Sequence, residues 1–296
     1  LKCSNDTLRQ PPWHQRLVLS GPMPGTRGAD EKGEPGTSAK RPRGTGVAFP
    51  DLCMNGESWR SLAPGLFAEH GVVLLAEALS ENELGLAQRR AQENVNEVLS
   101  MFILRQALGQ IGPDEQYNEI NGRDGGWYDI RHRFHQEPFA TFGERGAWVP
   151  LVRELLGGEA VLLGCGVLLA IADAERADQA WHTDGGHLFD GAHLPCHCLN
   201  VFIPLLELNG ANGQTQFILG SHAQGFDAEG EVSATTLVCQ AGSAIVFDYR
   251  ILQRGCANRS ESDRPCLYFT YAKPWFRDLK NLRSAQSILD EKLDAE

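Results

Sequence analysis

The segment from Gln179 to His187 carries the densest group of side chains that can do chemistry. It reads Gln-Ala-Trp-His-Thr-Asp-Gly-Gly-His and places His182 two residues before Asp184. Alternate residues of an extended strand face the same side, so these two side chains are expected to point together. An imidazole nitrogen and a carboxylate oxygen are two of the three ligands in the facial triad of non-haem Fe(II) sites. In isolation, however, a surface turn is the better interpretation of a His-x-Asp pair.

Short strands separated by turn residues dominate the second half of the chain. Apolar, strand-like segments occupy 161–172, 198–206, 214–219, 234–239, 243–248 and 266–271. Asn-Gly pairs at 209–210 and 212–213 are turn signals. Regularly spaced strands without intervening helices predict a mostly β fold with flanking α-helices. The expected architecture is a double-stranded β-helix, the jelly-roll barrel of cupin type, with its helices on one side.

Helical signals lie mainly before these strands. Ser80 followed by Glu83 fits a capping box, and apolar residues continue at helical spacing to about position 104. A second, shorter helix is predicted over 148–156, where Gly157 gives a stop signal. A strand is predicted over Val72–Leu75 before the long helix. The segment 111–145 has few periodic apolar positions and is predicted to be a loop.

Composition and charge narrow the class of protein. The chain has 296 residues, of which 42% are hydrophobic, and a formal net charge of -11. This acidity argues against nucleic acid or an anionic membrane surface as the main partner. No apolar run is long enough to cross a bilayer, and no signal peptide is recognised at the start. A soluble, cytoplasmic protein is therefore expected.

Domain organisation and cysteine usage agree with that expectation. Residues 1–50 are rich in Gly, Pro, Arg, Lys and Ser and are predicted to be a disordered tail. Residues 51–296 are predicted to form a single domain. The eight cysteines include no C-x-x-C pair, so free thiols in a reducing compartment are expected. A G-x-S-x-G elbow and a phosphate-binding P-loop are both missing from the sequence, which gives hydrolase and nucleotide-binding functions no local support.

Several segments taken together resemble the phytanoyl-CoA dioxygenase family of Fe(II)- and 2-oxoglutarate-dependent oxygenases. The resemblance covers about residues 62–278 and follows the order of the family's segments. These segments are 179–184, 198–205, 212–217 with 220–222, 242–250 and 268–271. The resemblance implies the jelly-roll fold, Fe(II) as cofactor and 2-oxoglutarate as co-substrate. It also implies that oxygen and a small organic molecule are the reaction partners.

The resemblance fails at one metal ligand. Family members carry a second iron-binding histidine on a late strand, in a stretch of the form Tyr-Arg-x-x-His-Arg-Gly. The matching stretch here runs from Tyr249 to Gly255, and Gln253 takes the place of the histidine. No histidine occurs after His222, so the same strand offers no other imidazole. Four other histidines remain as alternatives, although each aligns with a loop or with a position that binds no metal in the family. They are His187, His193, His197 and His222.

The other site residues follow from the same resemblance. Family members hold the distal carboxylate of 2-oxoglutarate with an arginine about eleven positions after the missing histidine, and that position is Arg264. Polar groups near the iron or the co-substrate are expected at Gln179, Asn200 and Thr215, although buried hydrogen bonding explains each of them equally well. The predicted metal ligands are His182, Asp184 and Gln253.

Three outcomes remain open for the glutamine. A neutral amide oxygen is a weaker donor to Fe(II) than imidazole, so the site is either weakened but working, retuned to altered chemistry, or inactive while still binding the co-substrate. The leading hypothesis is an oxygenase that hydroxylates a small organic substrate. The alternatives are an inactive ligand-binding or regulatory module, and a cupin that binds metal without 2-oxoglutarate. Halogenation is rejected, because halogenases of this fold lack the carboxylate that Asp184 supplies.

One further segment has the composition of a ligand-binding loop. Residues Arg123 to Arg133 combine arginines with Trp127, Tyr128 and Asp129. Cationic and aromatic groups together can hold an anionic substrate. A solvated loop explains the composition nearly as well, and no substrate identity follows from it.

Overall fold

The computed structural model describes residues 52–53, 59–111, 117–123, 126–172, 177–189, 193–223, 234–281 and 286–289. The tail predicted over 1–50 lies outside these residues. The four helices are α1 (Trp59–His70), α2 (Glu81–Ala107), α3 (Phe139–Arg145) and α4 (Val149–Leu156). The strands are β1 (Leu52–Cys53), β2 (Val72–Ala76), β3 (Ile120–Arg123), β4 (Trp127–Ile130), β5 (Val161–Ala170), β6 (Cys198–Pro204), β7 (Thr215–Phe217), β8 (Thr235–Thr236), β9 (Ala244–Asp248), β10 (Gln253–Gly255) and β11 (Arg264–Ala272).

The strands form two sheets. The large sheet has the order β1-β2-β9-β6-β11-β5-β4-β3, and the small sheet has the order β10-β7-β8. Every pair of neighbours is antiparallel except β1 with β2. The predicted mostly β jelly roll is confirmed, although the described strands make two open sheets rather than one closed barrel.

The central strands of the large sheet are buried on both faces. Leu267, Phe269 and Tyr271 of β11 pack in the larger apolar core, together with helix residues such as Phe102. The alternate residues of the strand face a second core that lies between the sheets. Burial on both faces explains why β6, β9 and β11 read as continuous apolar runs rather than as alternating patterns.

All four helices contribute buried side chains to the larger core, on one face of the large sheet. The helices are therefore on one side, as predicted. Trp148, at the start of α4, is fully buried and donates its indole N–H to the Tyr271 hydroxyl at 3.0 Å. The Tyr271 hydroxyl in turn donates to the backbone carbonyl of Gly143, a residue of α3, at 2.7 Å. These bonds satisfy polar groups in the layer between helices and sheet.

Helix α1 was missed by the sequence prediction, whose first element was the strand over Val72–Leu75. Pro64 lies inside this helix, and proline removes a backbone hydrogen bond from a helix interior. Trp59, Ala63 and Phe67 follow one another at intervals of four residues, and all three are buried in the larger core. Tertiary burial of this stripe outweighs the local cost of the proline.

The loop predicted over 111–145 is wrong in part. The segment contains the hairpin of β3 and β4 and, after the hairpin, helix α3. Strand β4 pairs with β5 and is buried throughout, although it includes the charged Asp129. Strands are recognised in a sequence by alternating apolar residues, and β4 has a buried ion pair in place of that alternation. The sequence pattern therefore did not reveal that β4 pairs with β5.

Among the described residues, no helix is long and apolar enough to cross a membrane.

The capping box at the start of α2 is present as predicted, and it provides a test of the fold. The Ser80 side chain accepts the Glu83 backbone N–H, and the Glu83 carboxylate accepts the Ser80 backbone N–H at 2.9 Å. Ser80→Ala removes one acceptor from the helix terminus and is expected to lower the free energy of unfolding by about 1 kcal/mol. Ser100→Ala, at an exposed interior position of α2, is the matched control and should change stability by less than about 0.5 kcal/mol. Denaturant unfolding measures both.

Candidate metal and co-substrate site

A backbone bridge between His182 and Gln253 holds the predicted metal ligands together. The His182 N–H donates to the Gln253 carbonyl at 2.9 Å, and the Gln253 N–H donates to the His182 carbonyl at 2.8 Å. The two residues are antiparallel partners outside the named strand pairs. Their side chains therefore leave the backbone on the same side, as in any directly opposed strand pair.

The three predicted ligands converge at one point. Gln253 Nε2 lies 3.0 Å from His182 Nε2 and 3.2 Å from Asp184 Oδ1. His182 Nε2 and Asp184 Oδ1 are 3.9 Å apart. Adjacent ligands of an octahedral ion, each about 2.1 Å from the metal, are about 3 Å from one another. The two distances from Gln253 are close to this spacing, whereas the distance between His182 and Asp184 is longer.

The orientation of His182 also fits a metal ligand. Its Nδ1 lies 2.8 Å from the Ala180 carbonyl oxygen. A carbonyl can only accept, so Nδ1 carries the proton and the lone pair of Nε2 faces Gln253 and Asp184. Histidine ligands commonly use a carbonyl in this way to fix the tautomer and the plane of the ring.

Two polar residues of the large sheet position the Asp184 carboxylate. Asn200 donates from Nδ2 to Asp184 Oδ2 at 2.6 Å, and Thr270 donates its hydroxyl to Asn200 Oδ1 at 2.6 Å. Asn200 and Thr270 are register partners on β6 and β11. Burial raises the pKa of Asp184 above its ordinary value, against the opposing effects of nearby positive charge, including that of Arg123, and of the Asn200 hydrogen bond.

A cavity of about 110 Å³ opens beside these ligands. Six of the seven residues predicted for the site line it, including Gln179, Asn200 and Thr215. The Gln179 side chain accepts the Gly255 backbone N–H through Oε1 at 2.8 Å, so it secures the strand after Gln253. Arg264 is the predicted residue that does not line this cavity.

Arg264 is separated from the cavity by Trp127. Its guanidinium carbon lies 4.4 Å from the centroid of the Trp127 ring, and the indole lines the cavity. On its other sides the guanidinium donates to the carbonyls of Asn212 and Gly213. Burial lowers the pKa of Arg264. The role predicted for Arg264 in binding 2-oxoglutarate remains a prediction, and its side chain does not meet the cavity in this conformation.

Further cavity residues were missed or only partly anticipated from the sequence. Arg123 and Arg131 both contact the buried Asp129, and the Tyr268 hydroxyl donates to the same carboxylate at 2.8 Å. The charged residues were noticed as part of one segment, but Tyr268 was not, because it lies 137 positions beyond Arg131 and looks like an ordinary strand residue. Asp278 and Asn281 also line the cavity and had no signal in the local pattern, and Tyr249 was recognised as part of the family-like stretch but not as a site residue.

The alternative histidines do not join the site. His187, His193, His197 and His222 are not among the residues that line the cavity. Within the described part of the chain, no three His, Cys, Asp or Glu side chains form a group that can hold a metal ion. A three-ligand site at His182 and Asp184 therefore depends on the amide of Gln253.

Several solved structures share the fold of this chain. The epimerase SnoN of nogalamycin biosynthesis, a non-haem alpha ketoglutarate-dependent enzyme, is 16% identical with a TM-score of 0.54 over 81% of this chain and 97% of its own. EctD from S. alaskensis, solved with 2-oxoglutarate and 5-hydroxyectoine, is 17% identical with a TM-score of 0.52 over 72% of this chain and 76% of its own. HygX from Streptomyces hygroscopicus, solved with nickel and 2-oxoglutarate, is 14% identical with a TM-score of 0.53 over 76% of this chain and 94% of its own. The chain therefore shares its fold with these three proteins, each of low sequence identity.

The family assignment is narrower. The family model for phytanoyl-CoA dioxygenase (PhyH) matches residues 67–266, which is more than half of the chain. The protein belongs to the phytanoyl-CoA dioxygenase family, and the cofactors of that family are Fe(II) and 2-oxoglutarate.

The ion pair beside the cavity predicts a pH-dependent contribution to stability. Burial alone would raise the pKa of Asp129, but the charges and hydrogen bonds of Arg131 and Arg123 outweigh it and lower that pKa. A carboxyl group whose pKa is lowered by folding stabilises the fold above its unfolded pKa, and this contribution is lost as the pH falls through the folded pKa.

Asp129→Asn is therefore expected to lower the free energy of unfolding by about 3 kcal/mol at pH 7, because it leaves Arg131 buried without its charged partner. The difference from the wild type should shrink as the pH falls below about 4. Urea unfolding at several pH values measures this. Glu93→Gln, which removes the exposed pair with Arg90, is the control and should cost under about 0.5 kcal/mol. An equal loss of stability for Asp129→Asn at every pH would contradict the role of the ion pair.

Proposed function

We propose that the protein is an Fe(II)- and 2-oxoglutarate-dependent dioxygenase that hydroxylates a small organic substrate. The observation that carries this proposal is the convergence of His182, Asp184 and Gln253 at mutual distances of 3.0 to 3.9 Å beside a cavity. Family membership supports the same chemistry. When bound, iron and 2-oxoglutarate supply the activation of oxygen, with succinate and carbon dioxide as co-products.

The residues of this chain have separate tasks in the proposed reaction. His182 and Asp184 hold the metal, and the Ala180 carbonyl and Asn200 fix the direction of their donor atoms. Asp184 must be ionised to bind a cation, and the Asn200 amide favours that form. Phe202 and Leu168 make part of the cavity wall apolar, which excludes water from a bound C–H group and orients it.

Gln253 is the weak point of the metal site. Its Nε2 group faces both His182 Nε2 and Asp184 Oδ1, and the amide N–H groups satisfy these two acceptors. A cation at the same point needs the amide oxygen instead, so the amide must turn by about half a rotation and lose both hydrogen bonds. Metal affinity is therefore expected to be lower than with an imidazole at this position.

The same observation favours a second candidate function. An amide that bridges His182 and Asp184 satisfies both acceptors without any metal ion. On this basis the alternative is a catalytically impaired or inactive member of the family that binds 2-oxoglutarate or another ligand, or has a regulatory role. The cavity is common to both candidates, and only metal binding and turnover separate them.

Anaerobic titration tests the enzyme proposal directly. Addition of Fe(II) and 2-oxoglutarate should produce the weak visible charge-transfer band of chelated iron, and admission of oxygen should then yield succinate even without a primary substrate. Absence of both signals at millimolar iron would reject the enzyme and leave the binding module as the function.

Restoring the imidazole tests the place of Gln253. Gln253→His is expected to tighten Fe(II) binding by at least about ten-fold and to raise succinate formation, because imidazole is the better ligand. Equilibrium dialysis against Fe(II) under nitrogen measures the affinity. Gln240→His, at an exposed position whose side chain contacts Glu207, is the matched control and should leave both quantities unchanged. If Gln253→His behaves like this control, Gln253 does not occupy the ligand position.

A further inference from the structure

Four polar side chains form one corner of the cavity, and we call them the arginine corner. Arg123 and Arg131 approach the Asp129 carboxylate at 2.9 and 2.5 Å. Arg131 Nε also lies 3.1 Å from the Tyr268 hydroxyl, which itself donates to Asp129. All four residues line the cavity that contains His182 and Asp184.

The arginine corner carries more positive charge and more donors than Asp129 can use. Two guanidinium groups face one carboxylate, so the corner has a net positive charge. Each guanidinium offers five N–H donors. Within the described residues, Arg123 donates only to Asp129, and Arg131 donates only to Asp129 and Tyr268. Planar guanidinium groups with unused donors are well suited to a carboxylate ligand.

The corner is also held rigidly. The Asp129 side chain is 2% exposed, whereas the side chains of Arg123 and Arg131 are 34% and 23% exposed. The buried carboxylate of Asp129 therefore holds both arginines in place, and part of each arginine side chain remains exposed. Strand β4 carries Asp129, and its partner β5 pairs in turn with β11, which carries Tyr268. A preformed donor array of this kind binds an anion without first having to order its side chains.

Arg264 is less suited to the same task. Its guanidinium donates to the backbone carbonyls of Asn212 and Gly213 and also interacts with the Cys266 side chain, and the Trp127 ring lies over it. Trp127 is itself fixed, because its indole N–H donates to the Cys256 carbonyl at 3.3 Å. A Cβ atom added to Gly255 would lie 2.5 Å from the Trp127 ring. The indole fits here because residue 255 has no side chain.

From this geometry we infer that the arginine corner, rather than Arg264, binds the carboxylate of a small-molecule ligand in this cavity. The inference deepens the proposed function and rests on it in one respect, since the family's co-substrate is a dicarboxylate. Two sources of the carboxylate share this chemistry: the distal end of 2-oxoglutarate, and an acidic primary substrate. The experiment below separates them.

Binding of 2-oxoglutarate to the full chain loaded with Mn(II) is measured by isothermal titration calorimetry. Arg123→Gln is expected to weaken binding by about ten-fold, because it removes a charged, partly exposed donor. Since Arg131→Gln alone would leave Asp129 buried without its main partner, the double variant Asp129→Asn with Arg131→Gln is used at that position. It should also weaken binding by about ten-fold or more. Arg264→Gln, whose amide can still donate to the Asn212 carbonyl, should stay within about two-fold of the wild type.

A matched control and a check of folding accompany these variants. Arg133→Gln removes an arginine of the same segment that pairs with Glu97 on the surface, and it should leave ligand binding unchanged. Circular dichroism and thermal unfolding establish that each variant is folded before its affinity is interpreted. Binding of Mn(II) alone should be equal in all variants, because none of them changes a predicted metal ligand.

The second arm uses hexanoate, a monocarboxylate, with chain already saturated by Mn(II) and 2-oxoglutarate. If Arg123→Gln weakens 2-oxoglutarate binding, the corner holds the co-substrate. If it leaves 2-oxoglutarate unchanged and weakens hexanoate binding, the corner holds the primary substrate. Either result supports the inference, whereas no effect on either ligand overturns it.

The remaining outcomes distinguish this inference from the proposed function. Loss of 2-oxoglutarate binding in Arg264→Gln, with wild-type binding of both acids in Arg123→Gln and in the double variant, overturns the inference and shows that Trp127 must move. Wild-type chain that binds Mn(II) but neither acid overturns it as well. Chain that binds no metal yet binds 2-oxoglutarate through Arg123 supports the corner and refutes the proposed iron site.

Discussion

The two backbone hydrogen bonds between His182 and Gln253 are the constraint on which the site depends. They join a segment outside the named strands to β10 and so bring Gln253 within 3.2 Å of both His182 and Asp184. His182 and Gln253 are 71 positions apart in the sequence, and this bridge is the backbone contact that brings them together. The glutamine at position 253 matters because it is part of this bridge. Its side chain lies against those of both His182 and Asp184.

The surrounding sheet satisfies the polar groups that such a site buries. Asn200 and Thr270, on adjacent strands, orient Asp184 from one side, and the arginine corner neutralises Asp129 on another. Polar groups that lie between two apolar cores are costly unless they are paired. The opposite faces of the same strands pack against the helices, so the larger apolar core and the cavity lie on different faces of the sheet.

Gln253 and Trp127 are the two residues at which we propose that this site differs from that of the family. One replaces the expected imidazole, and the other covers the arginine expected to hold the co-substrate. The arginine corner offers an anion-binding surface in the same cavity. A chain with such a site can retain the family's ligands while holding them through different residues.

The sequence by itself predicted the class of fold, which is confirmed, and it predicted the His182–Asp184 metal pair and the departure at Gln253, which stay predictions. These features depend on local spacing, on periodicity and on residues that match a family pattern at fixed positions. The capping box at Ser80 was predictable for the same reason, since it involves residues three positions apart. Strand β4, helix α1 and the contact of Tyr268 with Asp129 were decided only by tertiary structure. Their stability comes from burial against distant segments and from ion pairs inside the sheet, and a local pattern does not record either. The position of Arg264 behind Trp127 belongs to the same group, because spacing along a strand says nothing about which side chain covers another.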